Sequence, residues 1–317
     1  MPGADGERAV DLMTLFELGV ASAASAVVGA VVTWRRRRAT LAVGEERRHQ
    51  LCVVVTGSTR GLGFALAKEF VQHGDSVVVN GRSASSVEAA KASLLPYATE
   101  KGQQVLGCVC DVADATQCDA LASKAQAGLG KIDLWVNNAG MTQHPKAPLA
   151  QTPPSTVVEV VSANLLGTIF GCRAAIGAMS TQPTGGTIFN MDGSGSRGNA
   201  TASSLAYGAS KAALPQISKT LASETRGTAV RCHLASPGMV TTELLLRDAN
   251  ARALRIFNIL AEPPETVARW LVPRMRAAHV QQTPSGLYLR FLTPPSVVWR
   301  FATAAWRKDR LIKVPAT

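Results

Sequence analysis

Residues 51–63 (LCVVVTGSTRGLG) leave few choices of fold. The apolar run 51–56 ends at a glycine, which predicts a short strand buried on both faces. Glycines at 57, 61 and 63 then allow a tight turn, and a helix is predicted to about His73. A strand, a glycine-rich turn and a helix in this order direct backbone N–H groups toward an anion such as a pyrophosphate.

Further apolar segments alternate with predicted helices along the chain. The additional predicted strands cover residues 76–80, 105–110, 132–136, 187–191, 229–234 and 288–292. This alternation predicts a right-handed, doubly wound parallel sheet of the Rossmann type in one α/β domain. We expect that domain to span residues 51–317, with residues 1–50 as a separate N-terminal segment.

The N-terminal segment contains an uncharged stretch, residues 18–34, followed directly by four arginines at 35–38. A membrane span needs about 20 apolar residues, so this stretch is at the short end. The arginines would keep the following domain on the positive-inside face, and we predict a single membrane anchor. A targeting segment and a poorly ordered tail are the alternatives.

The net charge of +11 is unevenly distributed. Residues 51–246 carry 14 basic and 12 acidic side chains, whereas residues 247–317 carry 12 and 4. A basic surplus suits nucleic acid or an anionic membrane surface. Because no nucleic-acid motif accompanies it, we predict a membrane surface as partner and no nucleic acid.

The six cysteines form no C-x-x-C pair. Several lie in apolar, strand-like runs, so buried free thiols are favoured over a zinc site. This use of cysteine indicates a reducing compartment and predicts no metal site.

Tyr207 and Lys211 are four residues apart, which places the phenol and the ammonium on one helix face. Ser194 lies thirteen residues before Tyr207, just past the strand 187–191. A neighbouring lysine would stabilise the phenolate and lower the pKa of the tyrosine from about 10. The three groups predict proton transfer to a carbonyl oxygen. Ser196 is the alternative serine, because Gly193 and Gly195 leave the local register flexible, and an exposed helical pair is the structural alternative.

Two arginines bear on the choice of cofactor. Arg82 follows the second predicted strand, where an NAD site usually has an acidic residue, and Arg60 lies in the glycine-rich turn. Two guanidinium groups near the adenosine ribose favour a 2′-phosphate, so we predict NADPH over NADH. Asp111, at the end of the third strand, either accepts a hydrogen bond from adenine or caps the next helix.

An ordered set of motifs resembles the short-chain dehydrogenase/reductases over about residues 50–245. The set consists of T-G-x-x-x-G-x-G at 56–63, N-N-A-G at 137–140, Asn164, Ser194, Y-x-x-x-K at 207–211, and Pro237-Gly238. The resemblance implies hydride transfer from NADPH, with Tyr207 giving the proton, Lys211 supporting it, Ser194 holding the carbonyl and Asn164 positioning a water chain. The implied cofactor-binding residues are Gly57, Ser58, Thr59, Arg60, Gly61, Leu62, Gly63, Arg82, Asp111, Val112, Asn138, Ala139, Gly140, Lys211, Pro237, Gly238, Val240 and Thr242.

Within that family the chain most resembles the chlorophyll(ide) b reductases of the Non-Yellow Coloring type. The stretches that carry this resemblance are residues 186–196, 236–245, 258–263 and 288–293. It implies reduction of the formyl group of chlorophyll b or chlorophyllide b to hydroxymethyl, on the stromal side of the thylakoid membrane in the chloroplast. A membrane-anchored reductase of a lipid or retinoid carbonyl in the endoplasmic reticulum, and a non-catalytic NADP-binding subunit, are the alternatives.

The C-terminal part predicts a substrate lid and an amphipathic helix. Residues 243–279 are rich in apolar side chains and would cover a bulky apolar substrate. Ordinary helix packing is the alternative for half or more of these side chains. In residues 296–311, Arg300, Thr303, Arg307 and Arg310 share one helical face, which predicts a basic helix lying on a membrane. A terminal helix docked on the domain is the alternative. Helices 157–170 and 207–225 are the expected contacts in a homo-oligomer or a hetero-oligomer with a related reductase.

Overall fold

The computed structural model describes residues 49–314. The predicted anchor at 18–34 and nearly all of the linker after it lie outside these residues. Every element below belongs to the described part of the chain.

Seven parallel strands form one sheet in the order β3-β2-β1-β4-β5-β6-β7. Val54 pairs with Val78 on one side and with Trp135 on the other, so the strand order reverses between β1 and β4. Such a reversal opens a crevice at the carboxyl ends of the strands, where this fold binds ligands. The predicted doubly wound sheet is confirmed. Its strands are β1 Cys52–Val55, β2 Ser76–Gly81, β3 Val105–Val109, β4 Leu134–Asn137, β5 Gly186–Met191, β6 Val230–Ser236 and β7 Tyr288–Arg290.

Helices cover both faces of the sheet. They are α1 Gly61–Gln72, α2 Ala84–Leu94, α3 Ala115–Leu129, α4 Pro154–Val161, α5 Gly167–Ser180, α6 Leu205–Glu224, α7 Glu243–Leu246, α8 Ala251–Leu260, α9 Pro264–Val280 and α10 Pro294–Ala302. A π-helical turn, Ser162–Leu166, joins α4 to α5. The resulting helix Pro154–Ser180 is, among the described helices, long and apolar enough to cross a membrane. Part of its surface is nevertheless core, since Ala175 and Met179 are fully buried.

Alternate residues of each central strand enter different cores. Val53 and Val55 pack with Phe70 of α1 and Met275 of α9, whereas Val54 packs on the other face with Leu121 of α3. A strand buried on both faces requires a continuous apolar run, which is why periodicity of two is absent from residues 51–56. All six cysteines are buried and free, as predicted.

The predicted lid, residues 243–279, is wrong in its second half. Helix α9 carries a stripe at four-residue spacing, Val267, Leu271 and Met275, and these side chains are fully buried against the sheet and α1. That stripe is an ordinary core-facing helix pattern. Only residues 243–260, which contain α7 and α8, remain as a candidate lid.

The predicted basic helix at 296–311 is also different in the structure. Helix α10 ends at Ala302, a 3₁₀ turn covers Ala304–Arg307, and no further helix follows among the described residues. Arg300, Arg307 and Arg310 turn inward and form ion pairs with Glu262 at 3.1, 2.8 and 2.8 Å. Burial acts to raise the pKa of Glu262, but the three guanidinium groups outweigh this effect and lower that pKa overall. The segment is therefore docked on the domain with its arginines inward, and its large apolar side chains face outward.

Candidate active site

The carboxyl ends of β1, β4, β5 and β6 bring four loops together. They are residues 56–60, 138–148, 192–204 and 237–242. Thr56 joins the first two, because its Oγ1 accepts hydrogen bonds from the backbone N–H groups of Asn138 and Ala139, both at 3.0 Å. The Asn138 side chain donates to the carbonyl of Thr56 at 3.0 Å. The small residues at 139 and 140 follow this junction and leave open the entrance to the crevice.

The glycine-rich turn has the geometry of an anion cradle. Gly57 and Gly61 have φ angles of +62° and +57°, a region that residues with a side chain rarely adopt. At Gly63, a Cβ would lie 2.3 Å from the carbonyl oxygen of Gly57. Helix α1 begins after Arg60 without a side-chain cap, so its first N–H groups point at the turn without a side-chain acceptor. These features fit the pyrophosphate of a dinucleotide.

Ser58 and Thr59 connect the turn to the ends of β1 and β2. Ser58 Oγ donates to the carbonyl of Val55 at 2.7 Å and accepts from Asn80 N at 2.9 Å, so this hydroxyl is used inside the fold. Asn80 Oδ1 also accepts from Gly57 N at 3.0 Å. The methyl group of Thr59 lies 2.5 Å from where a Cβ of Gly81 would be. The end of β2 therefore lies against the turn, which places Arg82 and Arg60, each one residue further on, at the same edge.

Asp111 and Val112 lie at the end of β3. Asp111 Oδ1 accepts from Ala113 N at 3.0 Å, which fixes the turn, and the helix cap of α3 is Asp114 instead. Asp114 therefore caps the helix, and the hydrogen bond to adenine is the predicted role that remains for Asp111. Val112 packs against Gly167, where a Cβ would lie 2.7 Å from its side chain.

The segment after β6 folds toward the glycine-rich turn. Gly238 has φ of +70° and lets the chain reverse beside Leu292. The methyl group of Thr242 lies 3.3 Å from the position of a Gly61 Cβ, so the two loops touch. Val240, between them, forms a bridge with Glu262. Residues 237–242 consequently form the opposite wall of the crevice.

Lys211 and Asn164 meet at the crevice, as the sequence predicts. A Cβ at Gly140 would lie 3.1 Å from Asn164 Oδ1 and 3.7 Å from Lys211 Nζ, so both groups border one small space. Asn164 lies in the π-helical turn and is fully buried, and its amide donates to and accepts from the backbone of Met141 at 2.9 and 2.8 Å. Lys211 Nζ donates to the carbonyl of Met191 at 3.0 Å.

Tyr207 lies one turn before Lys211 on α6, and both pKa values are shifted. Burial lowers the pKa of Lys211 to about 8, against the opposing effect of Asp192. Burial, followed by the negative charge of Asp192, raises the pKa of Tyr207 to about 12. The expectation that Lys211 lowers the pKa of the phenol is therefore not met, because burial and Asp192 act in the other direction. With this shift the Tyr207 hydroxyl keeps its proton at neutral pH.

The two serines have different surroundings. Ser194 is exposed, and its Oγ accepts from the Asn199 side chain at 3.4 Å. Ser196 is partly buried and donates to Asp192 Oδ2 at 3.0 Å. Gly193 is packed on the phenol, since a Cβ there would lie 2.2 Å from the Tyr207 hydroxyl oxygen. The hydroxyl proton of Ser196 is thus donated to Asp192, whereas Ser194 Oγ donates to none of the described residues.

One site group was missed in the sequence. The hydroxyl of Tyr288, on β7, donates to Asp192 Oδ2, beside the bond from Ser196. The two residues are 96 positions apart, so no local pattern connects them. The one hint in the sequence was Asp192 itself, an acidic residue directly before the serines of residues 193–196.

Two ion pairs tie the candidate lid to neighbouring loops. Arg60 Nη1 lies 2.6 Å from Glu243 Oε2, and His144 Nδ1 lies 2.8 Å from Asp248 Oδ1. The first pair is exposed and the second is partly exposed, so each contributes little stability, on the order of 0–1 kcal/mol. These ion pairs join residues 243–248 to the glycine-rich turn and to the loop 138–148.

Comparison with known proteins identifies the family. The model of the short chain dehydrogenases matches residues 51–252. Chlorophyll(ide) b reductase NOL, chloroplastic, of Oryza sativa subsp. japonica is 44% identical over 76% of this chain and 71% of its own length. Probable chlorophyll(ide) b reductase NYC1, chloroplastic, of Arabidopsis thaliana is 41% identical over 81% of this chain, which spans 54% of that relative.

A solved structure agrees with this result. The crystal structure of a short-chain type dehydrogenase/reductase from Mycobacterium marinum superposes with a TM-score of 0.66 at 25% identity, over 75% of this chain and 93% of that one. The matched region includes the glycine-rich turn, Asn164, Tyr207 and Lys211. The chain belongs to the short-chain dehydrogenase family and is an oxidoreductase that uses a nicotinamide cofactor and acts on a carbonyl or hydroxyl group.

Proposed function

We propose that this protein reduces the formyl group of chlorophyll b or chlorophyllide b to hydroxymethyl with NADPH, the first step of chlorophyll b breakdown. The observation that carries the proposal is that the protonated Tyr207 hydroxyl, Lys211 and Asn164 lie together beside a dinucleotide cradle. The names of relatives at 44% and 41% identity supply the substrate class. The leucines of residues 244–246, on the candidate lid, are exposed or partly exposed and suit a large apolar pigment.

The roles of the residues follow from their positions. The bound cofactor supplies the hydride. Tyr207 gives its hydroxyl proton to the oxygen of the former carbonyl. Lys211 places a positive charge one turn away, which stabilises the phenolate left behind. Asn164 fixes the Met141 backbone next to Lys211, and Ser194, or else Ser196, holds the carbonyl oxygen.

The test is turnover of chlorophyllide b with NADPH, followed by the change in pigment absorption. We expect conversion to the hydroxymethyl product. If the pigment stays unchanged while a retinoid or lipid carbonyl is reduced, the proposed substrate is wrong and the alternative reductase activity is favoured. The relatives' names state the chloroplast, and within it we propose the stromal side of the thylakoid membrane as the location. Microscopy that shows the endoplasmic reticulum instead would favour the alternative activity.

The cofactor we propose is NADPH rather than NADH, on the basis of Arg60 and Arg82. Both side chains are exposed at the edge where β2 meets the glycine-rich turn. For Arg82→Ala we expect KM for NADPH to rise about 10- to 100-fold, because a charge-assisted contact to the 2′-phosphate is lost. KM for NADH should stay the same. Arg173→Ala, in an exposed ion pair on α5, is the control. An equal rise for both cofactors would contradict a 2′-phosphate contact.

We also propose that the protein rests on a membrane through an aromatic patch, formed by Val298, Trp299, Phe301 and Trp306. These side chains are 69, 68, 49 and 84% exposed. The inward ion pairs of the same segment with Glu262 hold them outward. Tryptophan is enriched at membrane–water interfaces, and the exposed Lys308 and Lys313 suit an anionic surface.

Brominated-lipid quenching of tryptophan fluorescence tests this patch. Because Trp34 ends the predicted anchor, the test uses a Trp34→Phe background. In vesicles that contain anionic lipid, we expect this chain to be quenched and the further changes Trp299→Ser and Trp306→Ser to remove most of that quenching. Leu149→Ser removes an exposed apolar side chain elsewhere and should have no effect. Full quenching in the double variant would exclude contact through the patch.

A second subunit, of the same chain or of a related reductase, is proposed to pack on α4–α5 and α6. Val158, Ile169 and Leu205 are 63, 39 and 49% exposed on these helices. Burial of such apolar side chains would stabilise a dimer. Light scattering on the purified protein measures the particle mass. A mass of two chains is expected, and the mass of a single chain would contradict a homodimer.

A further inference from the structure

Asp192, Ser196 and Tyr288 form a hydrogen-bonded cluster next to the active tyrosine, here called the Asp192 cluster. Asp192 follows β5 directly and is 4% exposed. Ser196 Oγ donates to its Oδ2 at 3.0 Å, and the Tyr288 hydroxyl donates to the same oxygen. Asp192 Oδ1 is buried and has no hydrogen-bond partner among the described residues.

A carboxylate in this position is costly for the fold. Burial of an ionised group without a paired cation is strongly unfavourable. The nearby Lys211 ammonium donates to the carbonyl of Met191. Two neutral hydroxyl donors on one oxygen offset only part of the cost. A buried polar atom without a partner, as at Asp192 Oδ1, calls for an explanation, and functional sites are where folds retain such atoms.

The backbone brings this charge to the phenol. Gly193 follows Asp192 and lies so close to the Tyr207 hydroxyl that any Cβ would overlap with it. Among the charged and titratable groups near the phenol, Asp192 from the loop after β5 acts on it directly, Lys211 lies one turn further along the same helix, and Tyr288 from β7 contacts Asp192. Asp192 is the only negative charge in this set.

We propose that Asp192 is a positioning residue, held by Ser196 and Tyr288, that keeps Tyr207 in its proton-bearing form between turnovers. A fixed negative charge beside the hydroxyl opposes formation of a second negative charge there. It also favours the charged form of Lys211, which the phenolate needs once its proton has left. The role rests on the proposed carbonyl reduction, because only reduction requires Tyr207 to start as the acid.

The chain contains three tyrosines, so the ionisation of Tyr207 can be measured directly. In a Tyr97→Phe background, the tyrosinate absorption after rapid mixing into alkaline buffer reports Tyr207 and Tyr288, and Tyr207→Phe identifies the Tyr207 part. For Asp192→Asn we expect the midpoint of Tyr207 to move down by about one pH unit. Asp119→Asn, an exposed carboxylate on α3, is the matched control and should leave it unchanged.

Tyr288→Phe and Ser196→Ala provide a test of opposite sign. Each removes a donor from Asp192, so its charge is less neutralised and the midpoint of Tyr207 should move up. They also carry the test if Asp192→Asn does not fold, as judged by circular dichroism. A midpoint that is unchanged or raised in Asp192→Asn, or unchanged or lowered in both other variants, overturns the proposal. The titration needs no substrate, so failure to reduce chlorophyllide b would refute the proposed function and leave this measurement valid.

Discussion

Tyr207→Phe should lower kcat by about 10²- to 10⁴-fold, the range expected when a general acid is removed. The phenyl ring keeps the packing against Gly193, and the dinucleotide cradle is formed by other residues, so NADPH should bind with unchanged affinity. The measurement is steady-state turnover, together with NADPH fluorescence on binding.

Tyr97→Phe is the matched control for this change. Tyr97 lies in a surface 3₁₀ turn, where Lys68 stacks on its ring, and it is remote from the crevice in the fold. Its loss should leave turnover unchanged. A Tyr207→Phe enzyme with normal turnover would mean that another group gives the proton, and a biological role that survives Tyr207→Phe unchanged would favour a non-catalytic NADP-binding subunit.

Asp75→Ala should lower the free energy of unfolding by about 3–5 kcal/mol, because it leaves a buried guanidinium without its carboxylate. Asp75 and Arg276 are both fully buried, and they form an ion pair between the α1–β2 turn and α9. Asp75 also accepts from Leu51 N at 2.9 Å, at the start of β1. Urea unfolding measures the change.

Asp119→Ala provides the comparison for stability. It breaks an exposed ion pair with Arg173, which should be worth less than about 1 kcal/mol. If Asp75→Ala were no more destabilising than Asp119→Ala, the buried pair would not be what fastens α9 to the sheet.

The parts predicted best from the sequence are those with local causes. The sheet follows from continuous apolar runs and from glycines that only a tight turn requires. Tyr207 and Lys211 follow from helical spacing, which depends on five consecutive residues. Asn164 came from the resemblance, and the π-helical turn that holds it has no pattern of its own in residues 157–170.

The parts that could not be predicted depend on residues far apart in the chain. A helical wheel places Arg300, Arg307 and Arg310 on a solvent-facing side because it does not contain Glu262, some 40 residues earlier. Likewise, Tyr288 joins Asp192 only because β7 pairs with β6, which in turn pairs with β5.

The most direct test of hydride transfer to the formyl carbon uses NADPH that carries deuterium on the transferred position of the nicotinamide. Chlorophyllide b is the substrate, and mass spectrometry of the pigment is the measurement. We expect one deuterium on the new hydroxymethyl carbon, with Tyr207→Phe giving the same labelled product at a much lower rate. A hydroxymethyl product without deuterium, or deuterium at another carbon of the pigment, would contradict the proposed reaction.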